Sequence, residues 1–584
     1  MIQFIDFINN NDRIIKILCK MRAKLADSQH KKHILNGLFY GFPIDNHHQS
    51  DLQSLLPPRR QWLSLYEQNR YKIYNLNSNT IYKQKITSFE TNIMRLQKTI
   101  ASASKNQIDQ IWYHNLQTFI KDVQNSCIDP NYRLTTPITY PISKNKRTDG
   151  TEECRPISVF QSLKDKVIIS LANQYLTTLF DPFFYQESLA FRAPRTYHQH
   201  SNYFTTHHDA IDRILEYLQQ HNNERIFIAE CDIQKFYDSV SHHIIKHEFR
   251  KLILQAHKRT PNLNTEIVER IFYSYLQCYS FPMQVYKLNN DKTYWAQQQN
   301  IKKGRFEWIE DQLIEHNLCK SKRSIPHLKI GIPQGGALSG LISNIVLNAV
   351  DKVVNKTDGH FLYLRYCDDM ILMHTDNIAC ENILTQYEEA LGKLRLIPHN
   401  FETNLSYRTA QFWNSKSKPV YEWGQIDGAD WIGFVGYEIK RTGEIRIRRK
   451  SLIKEKRKQK RTVKELCQQL RYKHRVSNRA IEESIRHKLI CMSIGRVTLW
   501  NSLLLRNELC WINGFKNLNR NKYVSIQIRT LDKTRNNILK NAHQYIYSSK
   551  DTGTIDKKTQ KVDNIRYYGK PFSYYYHYAK NTKK

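Results

Sequence analysis

The chain has 584 residues, 40% hydrophobic and 12% aromatic, with a formal charge of +35. Its length exceeds one ordinary domain and points to roughly three or four, while its apolar content excludes a disordered chain. So large a positive charge points to a polyanionic partner, nucleic acid ahead of an anionic membrane surface.

The N-terminal stretch Met1-Ile2-Gln3-Phe4-Ile5-Asp6 shows no basic segment leading into an apolar one, so no targeting segment is expected. The most apolar long stretch, residues 330–350, contains Pro333, Gln334, Ser339, Ser343 and Asn344 and makes a poor membrane span. The 11 cysteines form no Cys-x-x-Cys pair, which fits reduced thiols and a cytoplasmic setting better than a disulfide framework or a structural zinc. No repeat at a fixed period is apparent.

In chain order, residues 1–130 read as a mostly helical N-terminal extension. Apolar runs such as Ile14-Ile15-Lys16-Ile17-Leu18 sit among polar stretches there, and Pro57-Pro58 marks a break. From residue 131 to 440, short apolar runs such as Ile226-Phe227-Ile228-Ala229 and Phe361-Leu362-Tyr363-Leu364 alternate with helix-length segments, predicting an α+β sheet domain. Residues 441–584 read as a basic α-helical region ending in a tyrosine-rich tail. The run from Lys450 to Arg461 is a solvated face or a surface that tracks a nucleic-acid backbone.

Three segments carry the chemistry. An apolar strand runs into Asp232, within Ala229-Glu230-Cys231-Asp232-Ile233. Tyr366-Cys367-Asp368-Asp369, flanked by apolar residues on both sides, reads as a hairpin with adjacent carboxylates at its turn. Like charges there are costly unless a cation neutralises them. Hard divalent cations prefer carboxylate oxygens, and a pair of them can activate a hydroxyl and stabilise departing pyrophosphate. The third segment, Gly331-Ile332-Pro333-Gln334-Gly335-Gly336, leads into a helical pattern and lets backbone approach a ligand closely. It lacks the Lys-Ser/Thr ending of a P-loop.

In this order the three segments closely resemble the motifs of reverse transcriptases, above all bacterial ones, from about Tyr140 to Lys450. The resemblance implies a right-hand polymerase with fingers and palm over 131–440, followed by an α-helical basic thumb and C-terminal region. It implies metal ligation of two Mg2+ (Mn2+ as substitute) by Asp232, Ile233, Asp368 and Asp369, the three aspartates being catalytic. Nucleotide contacts are implied for Arg155, for Gln334, and for Lys144, Lys146 or Arg147 as a second cation. Tyr237 matches an aromatic steric gate whose ring would clash with a ribose 2′-hydroxyl, favouring deoxynucleotides. Template and primer contacts are implied for Phe191, Arg192, Tyr366 and the primer-grip hairpin with Gly433 and Gly436.

Departures are visible too. Ser339-Gly340 replaces the usual Ser-Pro, and the lysine often found near Glu402 is missing, leaving His399 as a weak candidate for the proton donor to pyrophosphate. The flanking regions have the texture of defence-associated, abortive-infection-like reverse transcriptases. That implies an RNA template (a non-coding RNA), dNTP substrates, a DNA product and, in some members, a homo-oligomer. Tyr574, Tyr575, Tyr576 and Tyr578 offer phenols for protein priming, against a reading as stacking or packing groups. The alternatives are an RNA polymerase or terminal nucleotidyltransferase, a group II intron or retron-type enzyme, and a degenerate palm serving as an RNA-binding scaffold.

Overall fold

The computed structural model describes residues 2–35, 49–77, 80–106, 109–197, 200–298, 301, 303–307, 311–357, 359–401, 406–424, 428–471, 477–494, 511–547, 569–574 and 576–577. The chain divides into two compact units. The first comprises residues 1–25, 44–210 and 223–422, the second residues 26–43, 211–222 and 423–584. Among the described residues no helix is long and apolar enough to cross a membrane.

In the first unit, the helices Ser88–Lys105 and Ile111–Ile128 bury one face each. The first opens on a reciprocal cap: Thr87 Oγ1 accepts from the Glu90 amide, and Glu90 accepts from the Thr87 amide, which satisfies two otherwise orphaned donors. Ile93, Leu96, Ile100 and Ala103 recur at helical spacing on its buried side. Phe4 and Phe7 set their rings edge-on to Tyr175 of the helix Leu163–Phe180. The N-terminal extension is not wholly helical, because Tyr71–Asn77 and Thr80–Lys85 pair as an antiparallel hairpin. Tyr and Ile residues suit a pleated strand.

The α+β expectation holds for the centre of this unit. Lys418–Glu422, Phe227–Asp232, Asp369–His374 and Phe361–Tyr366 form a four-stranded sheet in that spatial order, every pair antiparallel. The register sets Asp369 opposite Asp232 on one side and Tyr366 on the other. The helix Ser339–Val354 is almost entirely buried, as its apolar sequence demands. A second sheet pairs Ile138–Lys146 with Glu152–Val159, and Gly304–Phe306 adds to it in parallel. This last strand lies in the chain between the helices Glu266–Gln277 and Ser339–Val354. It is pinned by Asn289, whose side chain accepts from the Phe306 amide at 2.8 Å and donates to the Phe306 carbonyl at 2.9 Å. A Cβ at Gly304 would lie 2.0 Å from the Trp295 ring, so glycine is required for that close approach.

A buried ion pair joins hairpin and helix. The Arg365 and Asp351 side chains have no solvent exposure and meet at 2.5 Å and 2.8 Å. Arg365 also donates to Ser188 Oγ at 2.9 Å and to the Cys367 carbonyl at 2.9 Å, while Tyr363 donates to Asp351 at 2.7 Å. The Arg365 backbone pairs with Glu187 and Leu189.

The second unit holds a three-stranded antiparallel sheet, Trp431–Phe434, Tyr437–Lys440 and Ile445–Ile447, and the helices Arg449–Arg471, Asn478–Ile494 and Lys522–Tyr547. Val463, Leu466, Ile485, Leu489 and Leu539 share one apolar cluster. On the first of these helices Leu452, Glu455, Gln459 and Val463 are buried, whereas Lys454, Arg457, Lys458, Lys460, Arg461 and Lys464 are exposed. The basic run is thus one face of an amphipathic helix.

Asp351→Ala leaves the Arg365 charge buried without its partner and is expected to cost about 3–5 kcal/mol. Urea unfolding of the two proteins measures this directly, and a loss below about 1 kcal/mol would contradict the role given to the pair.

Candidate active site

The strand Phe227–Asp232 ends where the chain must turn sharply. Asp232 is fixed through its backbone: its carbonyl accepts from the His399 amide at 2.9 Å, and its amide donates to Ser417 Oγ at 3.2 Å. Two residues on, the Gln234 amide bonds the Ile397 carbonyl. Lys235 then adopts the left-handed conformation (φ 47°) and opens the short helix Phe236–Ser239. In the neighbouring hairpin Cys367, also left-handed at φ 62°, turns the chain so that Asp368 faces the end of the Asp232 strand. Burial, and then the charge of Asp232, raise the Asp368 carboxyl above its usual range, as expected of two acids crowded together.

Both carboxylates line a cavity of about 790 Å³. Of the residues expected at the site, Ile233, Lys144, Arg155, Phe191, Tyr237, Gln334 and His399 line it with them. Tyr237 presents its hydroxyl to Cys367 Sγ at 2.9 Å, which fixes the ring from the hairpin turn. Gln334 donates to Asp238 at 2.6 Å. Burial lifts the Asp238 carboxyl to about 6, against the pull of Lys235, Gln334 and Arg155. The loop that carries Gln334 needs glycine at Gly331 (φ 80°) and Gly335 (φ 97°). It is tied to Glu152–Val159 by the Ser158 amide on the Gln334 carbonyl, and to the palm by His242 on the Gly331 carbonyl. The Ser339-Gly340 departure has a local reason: a Cβ at Gly340 would lie 2.6 Å from the Phe191 ring.

Other expected residues lie elsewhere. Asp369 is exposed at the start of its strand, directly opposite Asp232 in the sheet and so on the same face as it, but it is not among the residues that line the cavity. Arg192 is a correction to its expected template contact. Its guanidinium is buried, ion-paired to Asp181 at 2.7 Å and bonded to the carbonyls of Tyr185 and Ser188, with no donor left for nucleic acid. Tyr366 is half-buried, its ring near that of His207, away from the cavity lining. Gly433 and Gly436 lie in the sheet of the second unit, Gly436 at φ 93° in its turn. Lys146 ends the strand Ile138–Lys146, but its side chain is outside the described residues, as are Tyr575, Tyr578 and the side chain of Tyr574. Tyr576 does not offer the exposed phenol expected of a priming group, because it is buried and donates to the Asn519 carbonyl at 2.8 Å.

The sequence reading missed Lys416, whose Nζ sits 2.6 Å from Asp232 Oδ2 and 3.0 Å from His399 Nε2. Burial and the Lys416 ammonium push His399 down to about 4, against the attraction of Asp232, so its ring is neutral near pH 7 and a poor proton donor. The segment with Glu402 lies outside the described residues.

Among the described residues no group of three or more His, Cys, Asp or Glu side chains could hold a metal ion by itself. Asp232 and Asp368 nevertheless fit hard divalent cations. These take few protein oxygens and complete their shells with water and substrate phosphate, and the Lys416 ammonium shows that a cation is accommodated at Asp232.

Residues 142–412 match the family model described as reverse transcriptase (RNA-dependent DNA polymerase). No curated protein matches the chain. Among solved structures it is similar to a C-terminally truncated apo telomerase from Candida Tropicalis, at 14% identity and a TM-score of 0.31, over 54% of this chain and 55% of that one. It is also similar to telomerase from Candida albicans with a TWJ fragment of telomeric RNA, at 14% identity and a TM-score of 0.27, over 80% and 70% of the two chains. The chain thus spans little more than half the length of the first of these. Strand order, the carboxylates at its ends and the family match agree: residues 142–412 are a reverse transcriptase domain of the RNA-dependent DNA polymerase type.

Proposed function

We propose that this chain is a magnesium-dependent RNA-directed DNA polymerase that extends a DNA strand on a non-coding RNA template in bacterial antiphage defence. The observation that carries the polymerase reading is the convergence of Asp232 and Asp368 on one cavity whose walls also hold Lys144, Arg155, Gln334 and Tyr237. The defence setting is supported by the basic region 441–584 and the divergent N-terminal extension around this domain, and is tested by phage plating on cells that carry wild-type or inactivated protein.

In this reading Asp232 and Asp368, with the Ile233 backbone, hold the metal pair, and Asp369 contributes charge from the neighbouring strand. Bound there, Mg2+ supplies charge neutralisation and activation for in-line attack of a hydroxyl on the α-phosphorus. The chain's own residues position the substrate. Arg155 and Lys144 meet the triphosphate, and Gln334, oriented by Asp238, borders the nucleotide. The Tyr237 ring, held by Cys367, excludes the 2′-hydroxyl. Lys416 is the group best placed to deliver a proton to departing pyrophosphate, since its ammonium reaches the cavity whereas His399 is neutral. Exposed Lys and Arg of the helix Arg449–Arg471 grip nucleic-acid phosphates, which makes binding salt-sensitive.

Asp232→Ala or Asp368→Ala is expected to lower dNTP incorporation on a primed RNA template about a thousandfold or more, and Asp369→Ala less. Undiminished incorporation by Asp368→Ala would refute the assignment. Tyr237→Val is expected to raise the use of ribonucleotides relative to deoxynucleotides roughly tenfold or more, read from single-nucleotide extension with each substrate. Lys416→Met is expected to lower kcat about a hundredfold with little change in template affinity, measured by pre-steady-state incorporation and filter binding.

A further inference from the structure

The cavity wall contains an ion-pair set that phosphoryl transfer does not require. Lys144 Nζ lies 2.9 Å from Glu153 Oε1. Lys235 Nζ bridges two carboxylates, at 3.4 Å from Glu153 and 3.3 Å from Glu307. Arg147 closes the chain on the other oxygen of Glu307. Three cations thus enclose two acids, and the acids are the more buried members. The Glu153 and Glu307 side chains are 10% and 16% exposed, against 38%, 46% and 22% for Lys144, Arg147 and Lys235. Two carboxylates this close and this dry are costly unless cations neutralise them, and the cations have their exposed sides free to meet a second anion.

Neither acid is there by accident of a loose loop. Glu153 is fixed in the strand Glu152–Val159. Glu307 follows the strand Gly304–Phe306, which is held by Asn289 and by the packing of Trp295 over Gly304. Lys235 keeps a left-handed backbone (φ 47°), an unfavourable conformation for a residue with a β-carbon, and its ammonium is directed at both acids.

We propose that Glu307, together with Glu153, is a built-in occupant of the triphosphate cations, which an entering nucleotide displaces and which returns as pyrophosphate leaves. This rests on the reading of the cavity as a nucleoside triphosphate site. The two carboxylates compete with the polyphosphate for Lys144 and Lys235, which line the cavity, while Arg147 holds Glu307 from outside that lining. They therefore weaken nucleotide binding and favour the short, less charged groups least. The strand Gly304–Phe306 acquires a task in this scheme: it delivers the competitor Glu307 and thereby sets nucleotide affinity.

The test is a KM against kcat comparison, joined to direct binding of inorganic pyrophosphate by calorimetry with no nucleotide present. Glu307→Gln keeps the size of the side chain and removes its charge. It is expected to lower both the KM for dNTP and the Kd for pyrophosphate about threefold to fivefold, the scale of partly exposed ion pairs. A residue needed only for structure would raise KM or lower kcat instead. Glu307→Asp, which retains the charge, is expected to bind pyrophosphate as the wild type does; binding as tight as that of Glu307→Gln would overturn the inference. If wild-type protein incorporates dNTPs and binds pyrophosphate but Glu307→Gln binds no tighter, this inference fails alone. If wild-type protein does neither, the triphosphate reading of the cavity fails, and the inference with it.

Discussion

The position of the hairpin that carries Asp368 depends on one buried charge pair. Arg365 sits in the strand that leads to the Asp368 turn, and Asp351 sits near the end of the helix that follows the glycine-rich loop. Neither charge reaches water, so each is tolerable only because the other is there. Beyond neutralising Asp351, the guanidinium uses its remaining donors on Ser188 Oγ and the Cys367 carbonyl. The same group therefore holds the helix, the 187–189 segment and the turn itself. Such a many-armed contact specifies one arrangement and tolerates no slippage of register, and a one-residue slip would carry Asp368 to the opposite face of the sheet.

The rest of the cavity extends this constraint outward. Ser188 donates to Asn344, whose amide in turn donates to the Ala190 and Phe191 carbonyls; the Phe191 ring leans on Gly340, and the helix beginning at Ser339 is continuous with the loop that positions Gln334. That loop in turn is stitched to the strand Glu152–Val159, which supplies Glu153 and Arg155. Cavity-lining groups from distant stretches of sequence thus share a connected frame within the first unit. The burial of Asp368 beside Asp232 is what such a frame stores: two acids held closer than they would choose, in readiness for cations.

What could be read from the sequence was what local pattern encodes. Asp232 at the end of an apolar strand and Asp368 at a hairpin turn are visible because strand, turn and carboxylate are adjacent in the chain. Arg192 was misread because its fate depends on a left-handed Phe191 that swings it back to Asp181, and no pattern announces such a backbone reversal. Lys416 and Glu307 escaped notice for a different reason. Each lies in a segment without periodicity and reaches the site only through tertiary pairing, Lys416 with an aspartate 184 residues away. The hairpin at 71–85 was hidden among Asn-rich residues that weaken any strand signal.

Cys367, introduced above as the prop under Tyr237, has a chemical corollary. Burial, and next the negative charge of Asp368, push its thiol up to about 12. Sulfur reacts with alkylating agents and peroxides chiefly as thiolate, and at neutral pH almost none is present here. Cys367 itself is partly exposed, whereas Cys231 on the neighbouring strand is buried. A soft atom therefore stands beside Asp368 as a hydrogen-bonding partner of Tyr237, and the raised thiol keeps its thiolate fraction low.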